Sequence, residues 1–464
     1  MTTPFDDLVS TYFAGRRWFS GKGRTFSVTS VRPLAWRSPV EPQGRIEIVT
    51  VQYDDGKSDL YQFPIVYRDA IDPEMAHALV GETSHPELGD VVAYDGVYFK
   101  SMSEALLDGF TRESADDSVS FHVVEDAPVP PLSVPGTVMT AEQSNTSIAY
   151  GEDAILKLFR RLSPGGNPDI EVHAALTRHG STHVAPLLGW IEAKWSDAEG
   201  TDRSGHLGML QTFLRTGTDG WDIALASVRD LLVEEDLHPE EVGGDFAGEA
   251  WRLGEATAEV HADLATLFDT DTLSGSQRAH LGEAMSLRLD SALAAIPELA
   301  EYAPRIRSHY AAVADAQHPI PVQRIHGDLH LGQTLRTVKG WKILDFEGEP
   351  AKSLSERTAL DSPLRDIAGM LRSFDYAAGA TLRQFGTGEH LSYRANEWST
   401  RNRDAFVEGY ASTAGAKPDD QRVLLRAYET DKAVYEAVYE ARNRPLWLSI
   451  PLQAIARLAS EDAA

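Results

Sequence analysis

The hydrophobic period of the chain changes once, near Trp221, and this change limits the fold more than any other feature. Before it, from Phe26 to about Lys100, apolar residues alternate in short runs (IEIVTVQY, DLYQFPIV, GVYFK) separated by Asp-Gly and Gly-Lys turn signals. That is the pattern of a small β-rich unit. After it, apolar residues recur at three and four positions in VRDLLVEEDL, WRLGEATAEVHADLATLF, SLRLDSALAAI and VLLRAYETDKAVYEAVYEA, which predicts a helical lobe. Between them, DAPVPPLSVPG (126–136) places four prolines in eleven residues and reads as an extended connector. Candidate strands follow at 137–140, 147–150, 154–159, 184–191 and 206–213, with a helix over 169–179, an antiparallel sheet carrying one inserted helix. The chain therefore divides into 1–130, a β-rich N-terminal subdomain, 131–215, a small sheet lobe, and 216–464, a helical lobe. The fold class is α+β.

With 464 residues, two or three such units each have a core to bury. Lys plus Arg number 43 against 70 Asp plus Glu, a net charge of −27, which repels nucleic-acid backbones and anionic membranes. There is no cysteine, so disulfides, thiolate nucleophiles and sulfur-ligated metals are excluded, which leaves oxygen ligands for a hard metal or His sites, and a magnesium-like ion is expected. The opening MTTPFDDLVSTYFAGRRWFSG has no apolar core of a secretory signal, and no run approaches the roughly 20 residues of a membrane span. A cytoplasmic protein is expected.

One β-like island, VQRIHGDLHLGQTLRTVKGWKILDFEGEP (322–350), interrupts the helical half. In it His326-Gly327-Asp328 is followed five residues after the Asp by Gln333, and seventeen after it by Asp345-Phe346-Glu347-Gly348. Phosphoryl transfer from ATP to a hydroxyl needs a carboxylate to orient the alcohol and take its proton, and oxygen ligands for the metal that neutralises the phosphates. Asp328 can serve as the base and Gln333 and Asp345 as metal ligands. Flanking runs VQRI and WKILDF would set both acids at neighbouring strand ends facing one cleft. Either tripeptide alone also reads as a plain β-turn.

The pattern resembles the protein-kinase and aminoglycoside-phosphotransferase superfamily, whose catalytic loop is His-x-Asp-x-x-x-x-Asn and whose metal site begins Asp-Phe-Gly. Gln333 stands in place of the Asn, and Glu347 separates Phe346 from Gly348. The resemblance implies a lysine for the ATP phosphates and a helical acid to hold it. AILKLF offers Lys157, and NPDIEVHAAL offers Glu171 on a helix capped by Asn167 with Pro168 at its first position. A surface lysine and an unrelated helix-start acid remain the alternative. The glycine-rich phosphate loop is replaced by a polar run whose Gln143, Ser144, Asn145, Thr146 and Ser147 can donate to phosphate, or form only a polar hairpin. In the superfamily an Asp followed by an apolar residue and Ala braces the catalytic loop. Asp366 takes that place and His326 stands with it.

In the last long helix Lys432, Tyr435 and Tyr439 share a stripe with Glu436 and Glu440 beside it, and Pro445 sets Arg444 and Trp447 at a corner beyond. Aromatic faces and charged hydrogen-bonding groups of this kind suit a sugar, although a solvated amphipathic helix has the same periodicity. The strings AEQSNTS, NPDIE, VGGDFAGEAWRLGEA, HGDLHLGQTLR, DFEGEP, DSPLRDIAGMLRSF and DKAVYEAVYEARNRPLWLSIPL, with GRRWFSGKGR near the start, are similar to the actinobacterial maltokinases. That resemblance implies a bilobal protein-kinase-like fold with a β-rich N-terminal cap, an antiparallel-sheet nucleotide lobe and a mostly helical C-terminal lobe. It implies ATP- and Mg2+-dependent phosphorylation of maltose at the anomeric hydroxyl, giving maltose 1-phosphate for α-glucan (glycogen-type) synthesis. Asp328 would be the base, Gln333 and Asp345 the metal ligands, and Lys157, Glu171 and residues 143–147 the ATP site. His330, Lys432, Tyr435, Glu436, Tyr439, Glu440, Arg444 and Trp447 would contact the sugar. A complex with trehalose synthase is implied as well, the chain being monomeric when alone. A glucosamine kinase of the same fold and a non-catalytic scaffold are the competing readings.

Overall fold

The alternating runs of the first half build two six-stranded antiparallel sheets in the computed structural model, which describes residues 4–38, 44–85, 87–131, 134–139, 144–197, 200–234, 237–316, 319–349, 352–386, 388–415 and 421–460. Both sheets belong to one unit, Met1–Thr177 with Ala185–Arg215. It opens with a helix not anticipated from the sequence, α1 (Pro4–Ala14), whose Val9, Tyr12 and Phe13 repeat at helical spacing and are buried. The first sheet has the order β1 (Phe26–Arg37), β2 (Gly44–Tyr53), β3 (Ser58–Arg68), β5 (Gly89–Asp95), β4 (Leu79–His85). Phe13, Trp18, Phe19, Tyr61 and Phe63 fill the core between this sheet and α1. Helix α2 (Lys100–Arg112) buries Met102, Leu106 and Phe110 in a core shared with Trp36 and Ile46 of the first sheet and Ile148 and Leu156 of the second.

The second sheet has the order β6 (Val119–Val123), β11 (Leu187–Ser196), β12 (Asp202–Thr212), β9 (Ala154–Leu158), β8 (Thr146–Tyr150), β7 (Gly136–Val138). The short strand β10 (Arg161–Leu162) pairs with β3 of the first sheet. Helix α3 (Pro168–His179) is inserted between β10 and β11, and Asn167 caps it by accepting from the Asp169 amide at 2.8 Å.

The other unit comprises Arg178–Val184 and Thr216–Ala464. Its helices are α4 (Gly220–Val233), α5 (Ala247–Leu267), α6 (Gly275–Ala295), α7 (Ala303–Ala314), α8 (Leu354–Thr358), α9 (Leu364–Phe385), α10 (Glu389–Ala414), α11 (Arg422–Asn443) and α12 (Ser449–Ser460). Helix α9 is buried on most of its circumference, from Ile367 through Phe374 to Leu382, as expected of a helix at the centre of a bundle. The island contributes strands to two small sheets: β13 (Thr218–Asp219) with β16 (Thr334–Thr337) and β17 (Gly340–Ile343), and β14 (Thr270–Thr272) with β15 (Pro321–Gln323). Among the described residues no helix is long and apolar enough to cross a membrane.

Candidate active site

The strands flanking the two acidic loops are not neighbours, which corrects the sequence expectation. One edge of β15 is taken by β14 and the other by the bridge between Gln323 and Asp361, while β17 pairs with β16. The loops are joined instead by His326, which is buried. Its Nε2 lies 2.7 Å from the Leu344 carbonyl, and its ring packs on Phe346 with centroids 4.9 Å apart. Gly327 and Gly348 both have positive φ, +84° and +71°, the left-handed backbone that favours glycine.

Asp366, at the start of α9, accepts the amides of His326 and Gly327, each at 2.8 Å, and lies 3.1 Å from His261 Nε2. Burial pushes its carboxyl upward, but the His261 hydrogen bond, neighbouring positive charge and these amides outweigh it and hold the group below its ordinary range. The loop bearing Asp328 thus hangs on a buried carboxylate.

On the second loop Asp345 has φ +64°, a left-handed conformation unusual outside glycine. Gln333 Nε2 donates to Asp345 Oδ2 at 3.3 Å, and the Leu344 amide donates to the Gln333 carbonyl at 2.9 Å. A carboxylate oxygen of Asp345 and one of Glu347 come within 4.8 Å of each other. Two carboxylates beside a side-chain amide, which carries an oxygen as well as the NH2 group now turned to Asp345, offer the hard donors a magnesium ion takes. Glu347 enters this set unforeseen, because from the sequence it reads only as an insertion before Gly348.

Asp328 is paired with α11, where Lys432 Nζ lies 3.0 Å from Asp328 Oδ1. Burial raises the carboxyl, but the ammonium and the nearby histidines win, and Asp328 is held below the usual carboxylate range. Lys432 is pushed down by burial and up, further, by Asp328. His330 caps the turn at Leu331–Gln333 through Nδ1, and burial lowers its pKa.

A cavity of about 210 Å3 opens beside Asp328, and Lys432 and Tyr435 line it with Arg288, Glu349, Lys352, Asp361, Arg365, Asp366 and Asp431. Each acid on this wall is already partnered. Asp431 receives Arg288 in a two-pronged bond at 2.9 and 2.7 Å. Arg365 bridges Asp361 and Glu349, both at 2.9 Å, and Lys352 lies 3.6 Å from Glu349. Tyr428 Oη donates to Asp361 at 2.5 Å. Several of these residues sit in strings matched to the resemblance but were not singled out. The spacing of Asp361 and Arg365, four apart, was the available signal.

Of the other expected sugar contacts, Glu436 accepts from fully buried Arg372 at 2.9 and 2.8 Å, and Glu440 accepts from Arg444 and, at 3.2 Å, from Tyr376. Tyr439 is exposed, and the Arg444 guanidinium lies 5.5 Å from its ring centre and 4.7 Å from that of Trp447. None of these five lines the cavity beside Asp328.

In the sheet unit, Lys157 Nζ stands 3.0 Å from Asp169 Oδ2. Asp169 takes the place expected of Glu171, which lies on the exposed side of α3. Two residues along a helix is a turn of about 200°, so only one of the pair can face β9. Burial acts to raise the Asp169 carboxyl, but Lys157 and His173, whose Nδ1 is 2.9 Å from Asp169 Oδ1, drive it well below its ordinary value. Ser147 lies opposite Lys157 in the register of β8 and β9. Asn145, Thr146 and Ser147 are buried and Ser144 is exposed; Gln143 falls outside the described residues.

Residues 144–395 match the model of the phosphotransferase enzyme family, and residues 12–98 that of the maltokinase N-terminal cap domain. The chain belongs to the phosphotransferase enzyme family. It is 29% identical over 326 residues to a glucosamine kinase of Streptacidiphilus jiangxiensis, covering 67% of this chain and 70% of that one. A glucosamine kinase of Mycolicibacterium smegmatis is 26% identical over 337 residues, 70% of this chain and 79% of that one. Among solved structures, a glucosamine kinase (crystal form B) superposes with a TM-score of 0.70 at 23% identity over 99% of this chain and 100% of that one. A glucosamine kinase in complex with glucosamine, ADP and inorganic phosphate gives 0.66 at 23% identity, with the same coverage. The kinase-like fold expected from the sequence is the fold of these structures, and the expected enzyme class, a sugar kinase, is the class these relatives carry.

Proposed function

We propose that the protein is an ATP-dependent maltokinase, transferring the γ-phosphoryl group of ATP to the anomeric hydroxyl of maltose to give maltose 1-phosphate for α-glucan (glycogen-type) synthesis. The observation that carries the choice of a neutral sugar is the cavity beside Asp328, where each lining carboxylate has a cation, an imidazole or backbone amides as its partner. Sugar hydroxyls donate to and accept from such paired charges without altering their balance. An ammonium group entering among Arg288, Lys352, Arg365 and Lys432 would have to displace one of them. The match of residues 12–98 to the maltokinase cap domain supports the same choice.

In this reading Asp328, kept ionised by Lys432, accepts the hydroxyl proton as the sugar oxygen bonds to phosphorus and ADP leaves. Asp366 and His326 hold the loop that presents Asp328. Lys157, oriented by Asp169, and the turn at Ser144–Ser147 take the nucleotide phosphates. Gln333, Asp345 and Glu347 would hold magnesium, which when bound neutralises phosphate charge. Tyr439, Arg444 and Trp447 belong to the outer part of the acceptor site, and His330, beside Asp328, to its inner part. Trehalose synthase, a source of maltose, is the partner this reading brings, with the protein monomeric alone in the cytoplasm; elution of the mixed proteins at a mass above either one tests that association.

A glucosamine kinase is the second reading, favoured by the names of the relatives. Incubation with Mg-ATP and maltose, glucose, glucosamine or trehalose, followed by phosphorus NMR, separates the two. Maltose 1-phosphate as the main product is expected, and consumption of glucosamine alone defeats the proposal.

A further inference from the structure

A single buried arginine ties the cap sheet to the turn that leads into β8. Arg160, three residues beyond Lys157, is 1% exposed. Its Nη2 donates to both carboxylate oxygens of Asp95, the last residue of β5, at 3.1 and 3.0 Å. Its Nε donates to Thr146 Oγ1 at 2.7 Å, and its guanidinium lies 4.7 Å from the centre of the Trp18 ring. Asp95 is also held from α1, by Tyr12 Oη at 3.1 Å. The backbone repeats the link: the Gln62 amide donates to the Arg160 carbonyl and Gln62 Nε2 to the Phe159 carbonyl, both at 2.9 Å.

A guanidinium this deeply buried is tolerated only against its carboxylate, so the position of Asp95 dictates that of Arg160. Thr146 opens β8, where it pairs with Leu158, and the next pair in the register is Ser147 with Lys157. A shift of Thr146 therefore moves the turn at Ser144–Ser147 against the strand that carries Lys157. The Thr146 hydroxyl spends its acceptor side on Arg160, so the side chain works inward.

We propose that Arg160 is a positioning residue through which the cap, by way of Asp95, sets the geometry of the nucleotide site at Thr146, Ser147 and Lys157. The inference rests on the reading of those residues as the nucleotide site. It makes the cap a determinant of nucleotide affinity, reached through the three charge-assisted hydrogen bonds of Arg160, two to Asp95 and one to Thr146.

The test is a double-mutant cycle of Asp95→Asn and Thr146→Val, read as the dissociation constant for Mg-ADP by calorimetry and as separate KM values for ATP and sugar. Each single change is expected to weaken Mg-ADP and raise the KM for ATP by about tenfold, with the KM for sugar changed by less than about twofold. The double variant should be little worse than either single one, because both cut the same relay. Additive effects would mean that Thr146 acts on the nucleotide directly and would overturn the relay, as would equal rises in both KM values. If Asp95→Asn does not fold, Tyr12→Phe replaces it in the cycle with a smaller expected loss. Absence of Mg-ADP binding by the unaltered protein overturns the nucleotide reading and the proposal together. Binding by the unaltered protein with unchanged affinity in folded Thr146→Val overturns the proposal alone.

Discussion

The two halves of the stripe on α11 carry the same residue types and put them to opposite uses. Asp431 and Lys432 reach across to other elements, Asp431 to Arg288 of α6 and Lys432 to Asp328 of the loop before β16, and with Tyr435 they wall a cavity. Glu440 and Arg444, one turn and two turns further on, pair with each other, and Arg444 covers Tyr439 and Trp447. A pair made across elements opens space between them. A pair made within one helix closes on itself and suits a helix end, where a cation meets the exposed carbonyls.

Breaking the inner half should therefore cost far more than breaking the outer. Asp328→Asn should lower kcat by about 10²- to 10⁴-fold, the range for loss of a general base, with Mg-ATP affinity kept within about twofold. Steady-state kinetics alongside calorimetry checks both. A variant with near-normal kcat removes Asp328 from the chemistry.

Lys432→Met should lower kcat/KM by about ten- to a hundredfold, as expected for losing a charge-assisted bond. It should also move the acid limb of the pH profile. Lys432 is the largest of the influences that outweigh burial at Asp328 and hold that carboxyl low, so without it the carboxyl protonates at higher pH and activity disappears sooner as pH falls. Lys432→Arg should restore the limb. A pH profile identical in all three proteins would break the link between the pair and the proton.

How much of this was legible depends on whether a residue's partner lies close in sequence. Asp328, Gln333 and Asp345 announce themselves within eighteen residues, and the change of hydrophobic period at Trp221 foretold sheets before helices. Asp169 did not stand out, since only the facing of α3 toward β9 separates it from Glu171. The partners of the cavity acids come from α6, from the first turn of α9 and from α11, more than a hundred positions from the acid in the cases of Arg288 with Asp431 and Lys432 with Asp328, a distance over which no periodicity carries information. The wrong pairing expected for β15 has the same origin, because both of its edges are claimed by segments far along the chain.

Arg288→Met probes how the inner half discriminates among sugars. It strips the cation from Asp431 and leaves a carboxylate facing the cavity without its two-pronged partner. At pH 7, where the sugar amine is still protonated, that carboxylate should welcome an ammonium group. The ratio of kcat/KM for glucosamine to that for maltose should rise by about tenfold, within the range that one unpaired polar group contributes to specificity. An unchanged ratio would mean that the balance of charges around Asp328 does not select the sugar.

The outer half should respond least. One face of Tyr439 and of Trp447 is already engaged by Arg444, so a sugar ring arriving there must share the surface or replace a contact worth about 0.5–1 kcal/mol at an exposed site. Trp447→Ala should accordingly change kcat/KM for maltose by only about two- to fivefold, the size of that contact. For glucose, which is one ring shorter, the change should be smaller still if the second ring is what meets this corner. Equal losses for maltose and glucose would place Trp447 against the reacting ring, and would move the acceptor site away from the cavity that Asp431, Lys432 and Tyr435 enclose.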